Sequence, residues 1–382
     1  MISDRLITLV RCPDCRGTLS ASDLRCQGCG RVYESPNQEY LDLRPIDRFA
    51  EQTKYLDEAL HADARHERVS PPLLGSKIRN DMLREFLRPA PGDLIVDLGC
   101  GSGRALVWNR DLGAETVGID ISPFFSEDAR RAMPLLLGDL RRLPFADATF
   151  NKAWSLDVLE HLSPEALREM LREANRILAP GGALFVYTHV RRNAPIAAGL
   201  RWINKLARGL ERASLIDMRQ ERLRKSDHLN PLADIPDLDR VAHECGFRIG
   251  RITFYTPIVG GFVENILMRM AERMLAKRAA RRLSSSATAT PDVDAQAIRE
   301  ARTAAKAQIA KSPTTYIVLR GLSWAMKLDL LLFGRITSGP FFALLVKNDV
   351  AARLPLAAGR EDQQPGPRTT DRGQRAANSE PR

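Results

Sequence analysis

No stretch of this 382-residue chain reaches the roughly 18 uninterrupted apolar residues that a membrane-spanning helix requires. Near the N-terminus the apolar run Leu6-Ile7-Thr8-Leu9-Val10 is too short for the core of a signal peptide, and an acid, Asp4, precedes it. Cysteine is scarce. There are six, and four of them stand in a metal-ligand spacing rather than a disulfide framework, which implies a reducing compartment. Internal repeats are absent too. These absences give the expectation of a cytoplasmic protein, with peripheral attachment to the inner face of a membrane left open. The residues present have the balance of a soluble globular chain, 44% hydrophobic and 27% charged. The length suits about two domains.

The formal net charge is +10, and it is local. Arg191 to Lys225 holds ten basic and three acidic residues, and Ile258 to Arg335 holds thirteen basic and six acidic. The rest of the chain is slightly acidic. Two basic segments point to an anionic partner such as phosphate, nucleic acid or an acidic lipid surface, or else to solvated helix faces.

Hydropathy patterning divides the chain. Residues 46–92 read as a helical linker, with apolar positions at Phe49, Tyr55, Leu56, Leu60, Met82, Leu83, Phe86 and Leu87, stopped by Pro89, Pro91 and Gly92. Short apolar strands then alternate with helices: Leu94–Val96, Thr116–Ile119, Leu135–Leu137, Lys152–Trp154 and Ala183–Tyr187. A helix over 164–178 and a turn over 179–182 precede the fifth strand. A helix over 235–245, a strand over 247–255 and a last strand over 341–346 complete seven. This alternation predicts an α/β fold with a doubly wound, mostly parallel sheet. About eighty residues with helical periodicity separate the last two strands, too many for a simple connection. From about Ala351 the chain is rich in Pro, Gly, Arg, Gln and Asp without apolar period, and is expected to be disordered.

The glycine loop Asp97-Leu98-Gly99-Cys100-Gly101-Ser102-Gly103 follows the first strand of this set and precedes a helix. Glycines let backbone approach a ligand closely, and the helix N-terminus favours a carboxylate. Asp120, ending the next strand in Gly118-Ile119-Asp120-Ile121-Ser122, is placed to bind two ribose hydroxyls. A dinucleotide fingerprint read from Gly99 would need glycine at position 104, which is Arg104. The pattern resembles instead the motif of class I S-adenosylmethionine-dependent methyltransferases, in a type 11-like domain. The resemblance continues through Gly138-Asp139-Leu140, Leu143-Pro144-Phe145 and Phe150, then Ser155 to Leu162, then Arg176 to Gly182. It covers residues 93–190 and implies a seven-stranded Rossmann-like sheet. It also implies S-adenosyl-L-methionine as cofactor, held by Asp97, Gly99, Cys100, Gly101, Gly103, Asp120, Ile121, Asp139, Leu140 and Ser155. Asp97 would face the methionine ammonium and Asp139 the adenine amino group.

Cys12-Pro13-Asp14-Cys15 and Cys26-Gln27-Gly28-Cys29 are two C-x-x-C pairs with ten residues between them. Four thiolates at this spacing suit a closed tetrahedral structural zinc site, with rubredoxin-like iron the rival. Gly17 and Gly30 permit the tight knuckles. The module resembles the zinc ribbons that precede certain bacterial methyltransferases, among them a family that modifies ribosomal RNA guanine, though that family usually ends its site with a histidine.

Methyl transfer is an in-line displacement, so alignment supplies most of the catalysis. Asp157-x-x-Glu160-His161 resembles the acid-x-x-Glu-His segment of quinone-ring O-methyltransferases. His161 is the candidate catalytic base, with metal ligation and plain packing as the other readings of the segment, and His189 is a second candidate base. Phe262, Val263, Ile266, Leu267, Met270, Met274 and Leu275 fall on one helical face beside Arg269, Arg273, Lys277, Arg278, Arg281 and Arg282. With the apolar block Leu322 to Phe333 they suit a membrane-interface helix or a lid. The expected organisation is a zinc ribbon over 1–45, the helical linker over 46–92 and a methyltransferase core over 93–257. A helical insertion over 258–340, a last strand over 341–350 and the tail over 351–382 follow. The expected acceptor is a small, hydrophobic or lipid-linked molecule. The alternative is RNA, read through the ribbon and the basic surface.

Overall fold

The computed structural model describes residues 4–46, 68–191, 197–216, 228–271, 273–274 and 313–348. Phe49, Tyr55, Leu56, Leu60, Leu275, the basic run 277–282 and the tail over 351–382 lie outside these residues. Residues 1–348 form one compact unit.

Within the described residues the predicted strands become elements. The N-terminal module carries α1 (Asp4–Leu9) and the two-residue strand β1 (Leu41–Asp42). Helix α2 (Leu74–Leu87) follows, then β2 (Leu94–Leu98), α3 (Arg104–Asn109), β3 (Glu115–Asp120), α4 (Glu127–Ala132) and β4 (Leu135–Leu137). Next come β5 (Phe150–Leu156), α5 (Pro164–Ile177), β6 (Leu178–His189), α6 (Ala197–Arg212), α7 (Ile235–Glu244) and β7 (Phe247–Phe254). The last elements are α8 (Ile258–Phe262), a π-helical turn (Val263–Met268), α9 (Pro313–Met326), α10 (Leu328–Phe333) and β8 (Pro340–Lys347). Helix α5 illustrates the local logic. Ser163 caps it by accepting from Ala166 N at 3.2 Å, Pro164 sits where no N–H is needed, and Leu167, Met170, Leu171, Ala174 and Ile177 form one buried stripe.

The sheet order is β1-β4-β3-β2-β5-β6-β8-β7. The pairs from β1 to β6 are parallel, and β8 runs antiparallel between β6 and β7. This is the α/β sheet expected, except that among the described residues it has eight strands rather than seven. Leu41 and Asp42 add to the open edge of β4 by pairing with Leu136 and Leu137. Of the span 46–92 expected to be helical, the described residues 68–73 are non-helical, where Pro71 and Pro72 exclude a helix, and α2 follows over Leu74–Leu87; residues 47–67 lie outside the described residues. The turn expected over 179–182 is part of β6, with Gly181 at φ 71°.

The cysteine module shares the core of the sheet. Leu6, Val10, Leu19, Tyr33, Leu41 and Leu43 are buried in one cluster with Leu136, Leu143, Phe145 and Phe150. Backbone bonds from Arg11 N to Pro144 O (2.9 Å) and Leu43 N to Leu137 O (2.8 Å) fasten the edge. On the other face α2 is tied to the C-terminal helices. Leu74 N donates to Ser323 Oγ at 2.7 Å and Gly75 N to Glu264 Oε1 at 3.0 Å. Buried Asp329 accepts from Val259 N at 2.9 Å and Gly260 N at 2.7 Å, fixing the start of α8.

Candidate functional site

Between β2 and α3 the chain passes through Gly99, Gly101 and Gly103 at φ 80°, 53° and 77°. Three left-handed residues within five positions demand glycine. A Cβ on Gly99 would stand 2.5 Å from Val158 Cγ2, whereas a Cβ on Gly101 would meet nothing within 4 Å, so the loop is open at Gly101. Strand β3 braces it from below. Gly99 N and Cys100 N both donate to Ile119 O, at 2.9 and 3.0 Å, and Gly101 N donates to Asp120 Oδ2 at 2.7 Å. Asp120 Oδ1 accepts from Ser122 N at 2.9 Å, past half-buried Ile121. Burial raises the Cys100 thiol well above its ordinary pKa, leaving it neutral.

Asp97, the second-last residue of β2, is 2% exposed, and its Oδ2 has no hydrogen-bond partner. Burial pushes its pKa up to about 8; the Trp154 indole pulls it down and Asp120 pushes it further up. A buried carboxyl oxygen without a partner is costly unless a ligand completes it. It opens on a cavity of about 180 Å³, whose lining includes Ser76, Arg79, Gly99, Arg104, Trp108 and Asp157. Patterning did not single out Ser76, Arg79 or Trp108. Arg79 reaches in from α2, with Nε 3.4 Å from Asp157 Oδ2 and its guanidinium 5.4 Å from the Tyr187 ring centroid. Asp157 itself has φ 56°, a strained value for a residue with a side chain, held by its N–H donating to Tyr187 O at 3.0 Å.

Two expected contacts are engaged within the protein. Asp139 is nearly buried and accepts from Arg141 N at 2.8 Å, Arg141 Nε at 3.0 Å and Arg141 Nη2 at 2.8 Å. Ser155 is buried, and its hydroxyl donates to Leu98 O at 2.8 Å, tying β5 to β2. Leu140 is half-buried against the core beside Asp139.

Cys12, Cys15, Cys26 and Cys29 converge, with one sulfur from each lying within 4.8 Å of the others. Cys12 Sγ is 3.7 Å from Cys29 Sγ and Cys15 Sγ is 3.3 Å from Cys26 Sγ. Sulfurs bound tetrahedrally at ~2.3 Å would stand about 3.8 Å apart, so the donor set fits zinc. Gly17 is required here by space: a Cβ would lie 2.9 Å from Cys26 Sγ. Gly30 is required by its φ of 77°.

A third cluster follows the cavity. The 3-10 turn Leu159–His161 carries Glu160 and His161, and Thr188 and His189 end β6 beside it. Glu160 is 1% exposed and accepts from Thr188 Oγ1 at 2.8 Å. Burial, with Asp157 adding, raises its pKa to about 8. His161 meets His228 edge to face at 4.7 Å, and His189 Nε2 lies 3.2 Å from His228 Nδ1.

Residues 96–186 match the methyltransferase domain family. Over 108 residues the chain is 37% identical to a probable tRNA methyltransferase 9B of Mus musculus, an alignment covering 28% of this chain and 24% of that one. Over 104 residues it is 39% identical to a demethylmenaquinone methyltransferase of Corynebacterium kroppenstedtii, covering 27% and 44%. The chain thus spans only about a quarter of the length of the first of these relatives. Among solved structures it is similar to a Haemonchus contortus phosphoethanolamine N-methyltransferase 2 in complex with S-adenosyl-L-methionine. That likeness has a TM-score of 0.44 and 16% identity, over 80% of this chain and 61% of that one.

Proposed function

With residues 96–186 a methyltransferase domain, we propose that this chain transfers a methyl group from S-adenosyl-L-methionine to a small hydrophobic or lipid-linked acceptor at a membrane surface. The observation that carries the cofactor reading is the buried, partnerless Oδ2 of Asp97 beside an open glycine loop. When bound, the cofactor supplies an electrophilic sulfonium methyl. Asp97 would meet its ammonium group, the Gly99–Gly103 backbone would hold the chain of the methionine, and Asp120 would accept from the ribose hydroxyls. Gly138-Asp139-Leu140 would border the adenine, with Asp139 paired to Arg141. Cys100 and Ile121 contribute backbone and apolar contact, and Ser155 keeps β2 and β5 in register from behind.

The chain's own work is alignment and exclusion of water. Helix α2 closes the cavity with Arg79, and α8 to α10 hold α2 in place. Where the acceptor carries a proton, His161 is the candidate base. The preference for a hydrophobic acceptor rests on the surface of the C-terminal helices. Trp324 is 71% and Leu331 79% exposed, with Ile317, Val318 and Leu332 also exposed and Arg320, Lys327 and Arg335 beside them. An apolar stripe flanked by cations suits an anionic bilayer interface. No helix among the described residues is long and apolar enough to cross a membrane. Exposed Trp202 on α6, among Arg201, Lys205 and Arg208, favours the second reading, an RNA acceptor. The four-cysteine ribbon holds a structural zinc in either case.

The test is transfer of a labelled methyl group from S-adenosylmethionine into host lysate separated into lipid, RNA, protein and small-molecule fractions. Label in the lipid fraction is the expected result. Label confined to RNA would replace the acceptor proposed, and no label in any fraction would oppose the methyltransferase reading itself.

A further inference from the structure

Glu160, His161 and His228 each offer one ligand atom within 4.8 Å of the others, and the group includes a carboxyl oxygen, Glu160 Oε1, that is buried without a hydrogen bond. His189 completes the surroundings, with Nε2 3.7 Å from Glu160 Oε1 and 3.2 Å from His228 Nδ1. Three segments contribute. Glu160 and His161 stand on the turn after β5, His189 ends β6, and His228 approaches from the connection between α6 and α7. Asn230 N donates to Glu160 O at 2.9 Å and secures that connection against the turn. Asp157 does not belong to the set, because it is paired with Arg79 at 3.4 Å. The spacing along the sequence therefore suggested a different trio from the one the fold assembles.

We propose that Glu160, His161 and His228, supported by His189, form a second metal site, for a divalent transition ion with nitrogen and oxygen donors. Two imidazoles and one carboxylate are a donor set that binds zinc or ferrous iron while leaving coordination positions open, unlike a closed set of four thiolates. Ligands bound tetrahedrally at ~2.1 Å stand about 3.4 Å apart, so the cluster needs to contract by at most about 1.4 Å, within the reach of side-chain rotation. The buried Glu160 Oε1 has no hydrogen-bond donor, and a dication would supply the positive charge it lacks. The site begins three residues after cavity-lining Asp157, next in the chain to the cavity. There the ion could hold an anionic or hydroxyl oxygen of the acceptor. His161 then acts as a ligand rather than as a free base. The inference needs the cofactor reading only for that purpose; metal binding itself is independent of it.

The experiment measures metal content and cobalt titration of the full-length protein without cofactor. Zinc-loaded protein is expected to hold two equivalents per chain. The first cobalt equivalent should give the intense near-ultraviolet thiolate band of the ribbon, and the second only weak visible bands from nitrogen and oxygen ligands. Glu160→Gln and His228→Ala, made separately so that one misfolded variant leaves the other informative, should each retain the thiolate band and lose the second equivalent. His189→Ala should weaken that equivalent about 10–100-fold, as loss of a supporting group does. A single equivalent in the parent protein would overturn the proposal, as would a second one that both ligand variants leave unchanged. Failure here with intact cofactor binding would leave the methyltransferase reading standing.

Discussion

The cysteine ribbon and the glycine loop use the same backbone device to opposite ends. Both are tight turns with glycine at left-handed angles, Gly30 in one and Gly99, Gly101 and Gly103 in the other. In the ribbon the donor atoms turn inward onto each other, and sulfurs 3.3 and 3.7 Å apart leave no room for a substrate. In the loop the acid turns toward a cavity and one of its oxygens has no partner. A closed donor set marks a structural site, and an incomplete one marks a site awaiting a ligand. The two regions also meet the sheet differently. The ribbon extends its edge through β1, and the loop sits at the carboxyl ends of its central strands, where ligands bind in open α/β sheets.

The sharpest way to break this contrast is Asp97→Ala. It should lower affinity for S-adenosylmethionine at least about 100-fold in calorimetry, as loss of one partner of a buried charge pair does. The pH dependence is the next largest effect. The Asp97 pKa is raised from 3.8 to about 8, so the carboxyl is protonated at neutral pH until a cationic ligand arrives. Cofactor affinity should therefore rise with pH between about 6 and 8, by up to about tenfold per unit. The stability of the ligand-free protein should move the other way, falling as pH rises toward 8, because ionisation is disfavoured in the folded state. Asp97→Asn should remove that fall while also losing cofactor affinity, and thermal melting at pH 6 and 8 reads both.

A smaller effect is expected at the surface. Replacing Trp324 and Leu331 with serine should reduce binding to anionic vesicles about tenfold in a sedimentation assay without lowering Tm, since both side chains are exposed. Smallest of all in cofactor affinity is removal of the ribbon metal. Chelation should lower Tm by about 5 °C or more and increase hydrogen exchange at Leu135–Leu137, yet change cofactor affinity less than about threefold. A large loss of affinity on chelation would merge the two regions that the structure keeps apart.

Strands β2 to β5 were legible because each carries apolar residues closed by a glycine or an acid, and β6 because of its apolar run Ala183–Tyr187. So were the four cysteines and the glycine loop, whose chemistry depends on residues adjacent in the chain. Strand β1 was not, since two residues carry no periodicity and only the open edge of β4 makes them a strand. Arg79 was hidden for a different reason. It lies on a helix read by its apolar face alone, and its approach to Asp157 depends on how α2 seats over the sheet. His228 lies 67 residues beyond His161 and joins it only through tertiary packing. Ser155 has the hydroxyl expected of a binding group, but its direction toward Leu98 O is a matter of strand register that sequence does not state.

Direct titration of S-adenosylmethionine into the full-length protein and into Asp97→Ala tests the central claim. Saturable one-to-one binding at micromolar affinity, lost in a variant that melts at or above the parent temperature, is the predicted result. Absence of binding to the parent, or equal binding to both proteins, would contradict it.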